Sequence, residues 1–331
     1  MTSSSNQWKN IGTSPLTPVF DIVRAKVYTT PPKLENIIVI GSELHYNNFW
    51  WKMMFIAGAA RFVRHSSFRK SDRVTIAYVD VDYNHTEKLA IEGMKRDIHY
   101  SCSDVNLVKI TSIESLINIL NKDRATYKIQ DLVFFCHGLN SILTLNLDAN
   151  PQINFKIEHI IQITKTAFSR TGKCYSYACR TGIAPDFIFL NKSSFNNLNE
   201  AKPNESLAQK MANYFDIEVH AFYKRTDYSN VIRPASSSDA IVKSVNENKE
   251  KFPNANILTL IDPYEAFKHD GLSAIFSPTT LRTLRSTMGQ QREGVAGYAL
   301  WRKGGGQSLP VAANSPTGLP DTMAIFTKSK G

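Results

Sequence analysis

Short apolar runs of strand length alternate with helical segments along the first two thirds of the chain. Each run has the Val, Ile and aromatic content of a buried strand, and the segments between them have helical spacing. The runs are 36–40, 73–81, 106–110, 132–136, 175–178 and 217–223, and the helical segments are 48–64, 86–99, 112–121, 155–168 and 206–215. This alternation predicts an α/β fold with a mostly parallel central sheet and helices on both faces.

Two of these runs end in a reactive residue with a glycine close behind. The run 132–136 is followed by His137 and Gly138, and the run 175–178 is followed by Cys179. Parallel strands end at one edge of a sheet, and open α/β sheets bind ligands at that edge. We therefore expect the imidazole and the thiol to face one another across a cleft.

A cysteine and a histidine placed in this way are suited to nucleophilic catalysis. The thiolate is the nucleophile, and the histidine can activate the thiol and later protonate the leaving amine. The backbone N–H groups of Gly138 and Cys179 are candidate oxyanion donors. A free cysteine taken singly is more often a small buried hydrophobe, so the prediction depends on the pair.

The two motifs resemble those of the caspase-like (clan CD) cysteine peptidases, which include caspases, metacaspases, gingipains, CHAT-domain proteases and toxin self-processing domains. Those proteins have a strand ending in His-Gly and then a strand ending in Ala-Cys or Ser-Cys, with Gly close behind, as in residues 178–182 (Ala-Cys-Arg-Thr-Gly). The separation of 42 positions (179 − 137) is similar to the roughly 50 of caspases. The resemblance covers about 35–227 and implies a three-layer caspase-like fold. It also implies that His137 is the general base and acid, Cys179 the nucleophile and Gly138 an oxyanion donor.

Five residues are candidates for the pocket that binds the substrate residue before the scissile bond (P1). Tyr177 stands where caspases have Gln, beside the nucleophile. Lys224 and Arg225 would suit an acidic P1 residue, whereas Asp227 or Glu43 would suit a basic one. Glu43 is included because the first loop often supplies a specificity residue in caspase-like proteins; a solvent-facing glutamate is the simpler interpretation. The sequence leaves the sign of the P1 residue open.

The sequence predicts neither a metal ion nor a cofactor. The four cysteines (102, 136, 174 and 179) form no Cys-x-x-Cys pair and have no His-rich run beside them. Asp80 and Asp82 at the end of one predicted strand are a weak alternative, because no third ligand is evident nearby. Unpaired thiols indicate synthesis in a reducing compartment.

Composition divides the chain into three predicted regions. Residues 1–34 read as an amino-terminal extension, 35–277 as the peptidase domain, and 278–331 as a basic, Gly/Pro/Ser-rich flexible tail. Residues 191–204, rich in Asn, Lys and Ser, predict an exposed loop open to proteolytic nicking.

The formal net charge of +10 would suit an anionic ligand, but the basic residues are scattered. A solvated basic surface is the simpler interpretation, and no nucleic acid is expected. No stretch is long and apolar enough for a transmembrane segment, and the amino terminus lacks an apolar signal core. We expect a cytoplasmic protein, or one exported by a Sec-independent system as a bacterial toxin or effector; an intracellular defence protease fits equally.

The sequence thus predicts a Cys-His endopeptidase that acts on a protein or peptide substrate and is open to control by an activator or inhibitor protein. Two alternatives stand beside it. One is a catalytically inactive caspase-like binding module whose basic tail contacts an anionic partner. The other is a non-proteolytic Cys hydrolase or transferase on the same scaffold.

Overall fold

The computed structural model describes residues 31–43, 52–81, 83, 88, 91–92, 94–95, 98, 102–232 and 308–329. Most of the predicted amino-terminal extension, Asp82 and the first thirty residues of the predicted tail lie outside these ranges. The strands are β1 (Lys33–Ile40), β2 (Arg73–Val79), β3 (Asp104–Ile110), β4 (Tyr127–Phe135), β5 (His137–Leu139), β6 (Ile142–Thr144), β7 (Asn154–Phe155), β8 (Phe168–Ser176), β9 (Glu218–Ala221), β10 (Thr226–Asp227), β11 (Val311–Ala312) and β12 (Ala324–Phe326). The α-helices are α1 (Met54–Val63), α2 (Ile113–Asn121), α3 (Leu207–Phe215) and α4 (Ser229–Ile232).

Seven of the strands form one sheet in the order β12-β9-β8-β4-β1-β2-β3. Neighbouring strands are parallel throughout, except that β12 runs antiparallel to β9. The prediction of an α/β fold with a mostly parallel sheet is therefore confirmed. The small strands β5, β6 and β7 form a separate antiparallel ribbon directly after β4.

Helices cover both faces of the sheet, so the domain has three layers. Successive residues of a strand point to opposite faces, and β1 shows this clearly. Ile38 and Ile40 pack into the cluster that contains α1, whereas Ile37 and Val39 pack into the cluster that contains α2 and α3. All four side chains are fully buried. The unbroken apolar run 37–40 at the end of β1 is what a sheet covered on both faces requires.

Polar side chains fix the ends of two helices that the sequence predicts, 112–121 and 206–215. Ser112 caps α2, where its hydroxyl accepts the Ser115 N–H and its own N–H donates to the Ser115 hydroxyl. Ser206 caps α3 by accepting the Gln209 N–H, and Asp216 ends that helix in a left-handed conformation. These caps satisfy backbone donors that the first turn of a helix leaves free.

The sheet has one point at which the direction of chain progression reverses. From β1 the chain builds outward through β2 and β3, and it then returns to the other side of β1 as β4, β8 and β9. The reversal lies between β1 and β4, which are adjacent and parallel with Ile40 opposite Phe135. In open α/β sheets, ligands bind at the carboxyl ends of the strands at such a point.

Two predicted segments differ from the structure. The predicted helix 155–168 is a short 3₁₀ turn, Ile157–Gln162, followed by the start of β8. The side-chain amide of Asn121 fixes the end of this turn. Its N–H donates to the Gln162 carbonyl, and its Oδ1 accepts the Thr164 N–H. The predicted loop 191–204 is exposed at most of its positions, as expected, but it contains two 3₁₀ turns and the buried Phe195 and Ala201.

The structure also differs from the prediction of a separate tail beginning at 278. Residues 308–329, which we call the carboxy-terminal segment, belong to the α/β domain: β11 pairs with β10, and β12 extends the main sheet. Its Gly and Pro content serves turns rather than disorder. Gly318 adopts a φ of +79°, and a Cβ there would lie 1.8 Å from the Phe195 carbonyl oxygen. Within the described residues, no helix is long and apolar enough to cross a membrane.

Candidate active site

Glu43 and His137 meet at the point where the chain reverses. Each follows one of the two adjacent parallel strands, Glu43 after β1 and His137 after β4. The Gly41 N–H donates to the Phe135 carbonyl at 2.8 Å, so the two strands stay in register to their last residue. The side chains that leave the strands here therefore enter the same crevice.

The carboxylate of Glu43 holds the His137 ring. Its Oε2 lies 2.5 Å from Nε2 of His137, and the Glu43 side chain is fully buried while that of His137 is 18% exposed. An ionised carboxylate can only accept, so this contact directs an Nε2–H towards Glu43, and in the neutral imidazole Nδ1 is then the acceptor. The Phe55 ring packs edge-on against the imidazole at 5.0 Å. The prediction of Glu43 as a P1-binding acid is thus corrected, because its carboxylate is buried against the histidine.

The backbone of Gly138 lies directly against that of Cys179. A Cβ on Gly138 would lie 2.2 Å from the Cys179 carbonyl oxygen and 2.6 Å from its nitrogen. Only glycine fits at this distance, so the glycine is required by the contact between the two motifs. The structure therefore brings the His-Gly and Cys motifs together, as expected from their places at the ends of neighbouring strands.

A strained residue turns the chain sharply after the nucleophile. Arg180 has a φ of +54°, a left-handed conformation that costs a non-glycine residue about 1–2 kcal/mol. Its N–H donates to the Lys224 carbonyl at 2.9 Å, and its carbonyl accepts the Ser141 N–H at 3.2 Å. Its guanidinium is buried and donates to the carbonyls of Phe189 and Leu190. These bonds hold the turn that presents Cys179.

The Cys179 sulfur has two polar partners on one residue. Its Sγ lies 3.2 Å from Oγ1 of Thr226 and 3.3 Å from the Thr226 nitrogen, which donates its N–H. The thiol is partly exposed, and within the described part of the chain it makes no hydrogen bond to His137. The Cys179 N–H is likewise taken by no described acceptor, so it is free to bind a substrate oxygen.

The other three cysteines lie in the protein interior. Burial raises the pKa of the Cys102, Cys136 and Cys174 thiols, and the neighbouring Cys179 adds to the effect at Cys136. Because the thiolate is the reactive form, these three thiols are unsuited to nucleophilic chemistry. Cys179 is thus the one cysteine with the exposure that a nucleophile needs.

Three more of the predicted pocket residues have structural roles. Tyr177 is buried and stacks on Phe135 with ring centroids 4.8 Å apart, so it belongs to the core. Lys224 is buried in an ion pair with Asp321. Asp227 accepts the N–H and hydroxyl of residue 229, at 2.7 and 2.5 Å, at the start of α4.

Arg225 differs from these residues, because its side chain is exposed. It directly precedes Thr226, and its guanidinium has no ion pair with any described residue. Burial, together with repulsion from Arg225, holds the pKa of the Arg180 guanidinium below its ordinary value. Arg225 is the one exposed residue of the five candidates, whereas Asp227 is half-buried.

The described residues contain no group of three or more His, Cys, Asp or Glu side chains placed to hold a metal ion. Asp80, half of the alternative metal pair, forms ion pairs with Lys88 and Lys109 at 2.9 and 2.6 Å. Its carboxylate is thus engaged with surface cations.

No protein-family model matches the chain, and no curated protein is significantly similar to it in sequence. The interpretation of the site therefore depends on its own geometry.

Sequence reasoning missed three contributors to this site. It did not identify Thr226 as a partner of the thiol, Arg180 as the strained support of the turn, or Glu43 as the partner of His137. Arg180 carried no sequence signal, because arginine is not among the residues that favour a positive φ. Thr226 carried no such signal, since its role depends on the pairing of β10 with β11.

Proposed function

We propose that this protein is a cysteine endopeptidase with a caspase-like fold, in which Cys179 is the nucleophile and His137 the general base and acid. One observation carries the proposal: the backbones of the two motifs are in contact at Gly138 and Cys179, beside an imidazole held by a buried carboxylate. The residue types and their order match those of thiol peptidases, and the backbone contact supports the placement of both side chains at one edge of the sheet.

The catalytic steps follow from the atoms that remain available. Nδ1 of His137 takes the proton of the Cys179 thiol, and the thiolate attacks the carbonyl carbon of the scissile bond. The Cys179 N–H, with that of Gly138 as the second candidate donor, stabilises the resulting oxyanion. The imidazolium then protonates the leaving amine, and a thioester forms.

Water completes the reaction. His137 removes a proton from the water as it attacks the thioester carbonyl, and the thiol is regenerated with release of the carboxylic acid product. Glu43 faces Nε2 throughout, so its negative charge stabilises the imidazolium that forms in both halves of the cycle. None of these steps requires a metal or an organic cofactor.

The proposed substrate has an acidic residue at P1. Of the candidates considered for this pocket, Arg225 is the one whose charged group is exposed, and it lies next to the residue that binds the thiol. A bacterial toxin, effector or defence role remains a proposal drawn from the family resemblance alone.

The test is cleavage of a diverse peptide library followed by mass spectrometry, with Cys179→Ala and His137→Ala variants beside the unaltered chain. We expect cleavage that both variants abolish, and the cut sites give the P1 preference directly. Cys102→Ala is the matched control, because it removes a buried thiol away from the site and is expected to retain activity.

Two other outcomes separate the alternatives. No cleavage together with a Cys179 inert to iodoacetamide at neutral pH would refute the enzyme and favour the binding module. No cleavage of any peptide together with rapid alkylation of Cys179 would favour the non-proteolytic hydrolase or transferase.

A further inference from the structure

The residue that holds the catalytic thiol is itself held by the carboxy-terminal segment. Thr226 lies in β10, whose sheet partner is β11, with Thr226 opposite Ala312. Next to this pair, the Arg225 N–H donates to the Ser315 carbonyl at 2.9 Å, and the Ala313 N–H donates to the Arg225 carbonyl at 2.8 Å. A chain of hydrogen bonds thus leads from the segment to the Cys179 sulfur.

We propose that the carboxy-terminal segment is a functional part of the active site, because it positions Thr226 so that its N–H and Oγ1 orient the Cys179 thiol. This inference rests on the proposed function, in which Cys179 is the nucleophile. Thr226 is a positioning residue with two donors for the sulfur. When the thiol loses its proton, both donors stabilise the anion.

The strand that carries Thr226 has little stability of its own. β10 contains two residues, and β11 is its one partner among the described strands. A two-stranded ribbon is marginal in water even when it is longer than this. The Lys224 carbonyl and the buried Tyr228 hold the chain on either side of Thr226, and the strand pairing of Thr226 itself depends on what fixes β11.

Besides the pairing of β12 with β9, three contacts fix the carboxy-terminal segment near the thiol. Asp321 forms an ion pair with the buried Lys224, two residues before Thr226. Phe326 in β12 is buried and contacts the ring of Tyr223 at 5.7 Å. A Cβ on Gly182, in the turn after the nucleophile, would lie 3.1 Å from the Phe326 ring. The segment thus touches both chain sections that enclose the thiol.

The first test changes the donor on Thr226. Thr226→Val keeps the shape and the backbone N–H but removes Oγ1, whereas Thr226→Ser keeps the hydroxyl. We expect the rate of Cys179 alkylation by iodoacetamide at neutral pH to fall by about 3- to 10-fold in Thr226→Val, the size of one lost hydrogen bond. The pH of half-maximal alkylation should also rise. Thr226→Ser should stay within about 2-fold of the unaltered chain.

The second test changes the carboxy-terminal segment and leaves the site residues intact. Ala313→Pro removes the N–H that donates to Arg225, whereas Ala313→Ser retains it. We expect Ala313→Pro to slow alkylation of Cys179 at least about 3-fold and to lower peptide cleavage, with Ala313→Ser unchanged. Thermal unfolding of both variants shows whether the domain itself remains folded at the assay temperature.

Alkylation needs no peptide substrate, so failure of this inference is distinguishable from failure of the proposed function. Equal alkylation rates and superimposable pH profiles for Thr226→Val and the unaltered chain would overturn the positioning role. A folded Ala313→Pro variant with normal alkylation would overturn the role of the segment. Slowed alkylation with no peptide cleavage would support the positioning and count against the peptidase.

Discussion

Glu43→Gln is the substitution that most directly tests the proposed catalytic geometry. The side chain keeps its size, and its amide oxygen can still accept the Nε2–H of His137. What it loses is the negative charge 2.5 Å from that nitrogen, in a position without solvent exposure. Because the charge faces the imidazole in a buried site, water does not replace it.

The magnitude follows from the kind of interaction that is lost. A hydrogen bond to a charged group contributes about 1.5–3 kcal/mol, and the imidazolium is charged only as the reaction proceeds. At about 1.36 kcal/mol for each factor of ten, we expect kcat to fall by about 10- to 150-fold. KM should change little, since Glu43 lies behind the histidine rather than against the substrate.

The assay is steady-state hydrolysis of the best peptide found in the library. Glu158→Gln is the matched control, because that carboxylate is 64% exposed and contacts Lys156 at a long 3.9 Å. It should leave kcat unchanged. A Glu43→Gln variant that is folded and retains full kcat would refute the claim that the carboxylate supports the histidine.

Three further predictions concern the thiols, the substrate and acid stability. In the native protein, iodoacetamide should modify Cys179 first, and the three buried thiols should react only after unfolding; peptide mapping that finds a buried thiol modified first would contradict this. Arg225→Glu should reverse the P1 preference from acidic to basic residues in the library, whereas an unchanged cut pattern would place the P1 pocket elsewhere. Burial of His220, stacked on Tyr175, lowers the pKa of that imidazole, so the unfolded chain takes up its proton first as pH falls. Below about pH 6.5, the free energy of unfolding of the unaltered protein should therefore fall more steeply with pH than that of His220→Gln, by at most about 1.4 kcal/mol per pH unit. Chemical denaturation at a series of pH values measures both curves. Parallel curves for the two proteins would refute the prediction.

Much of the fold could be predicted from local sequence because the core strands are apolar at nearly every position. The predicted run 36–40 lies within β1, and the run 106–110 lies within β3. The ends of the runs also located His137 and Cys179, since a polar residue and a glycine after a buried strand mark the edge of the sheet. These signals are contained in ten residues or fewer.

The rest depended on contacts between distant parts of the chain. Thr226 meets Ala312 across 86 positions (312 − 226), and neither strand has more than two residues in which a pattern could show. β12 has three residues, and so short an apolar run cannot be distinguished from chance in the sequence. In the sequence, Glu43 looks like a surface residue of a loop. Its partner His137 is 94 positions away, and only the pairing of β1 with β4 brings the two together.

The reversal of chain direction between β1 and β4 also means that the residues of the candidate site come from two different halves of the sheet. His137, Cys179 and Thr226 follow β4, β8 and β9, whereas Glu43 follows β1 and belongs to the other half of the sheet. A shift of β1 relative to β4 would therefore move Glu43 away from His137 and leave the contact of Gly138 with Cys179 unchanged. We therefore expect substitutions of the side chains packed between β1 and β4 to change the support that Glu43 gives His137 without altering how the Cys179 thiol is held.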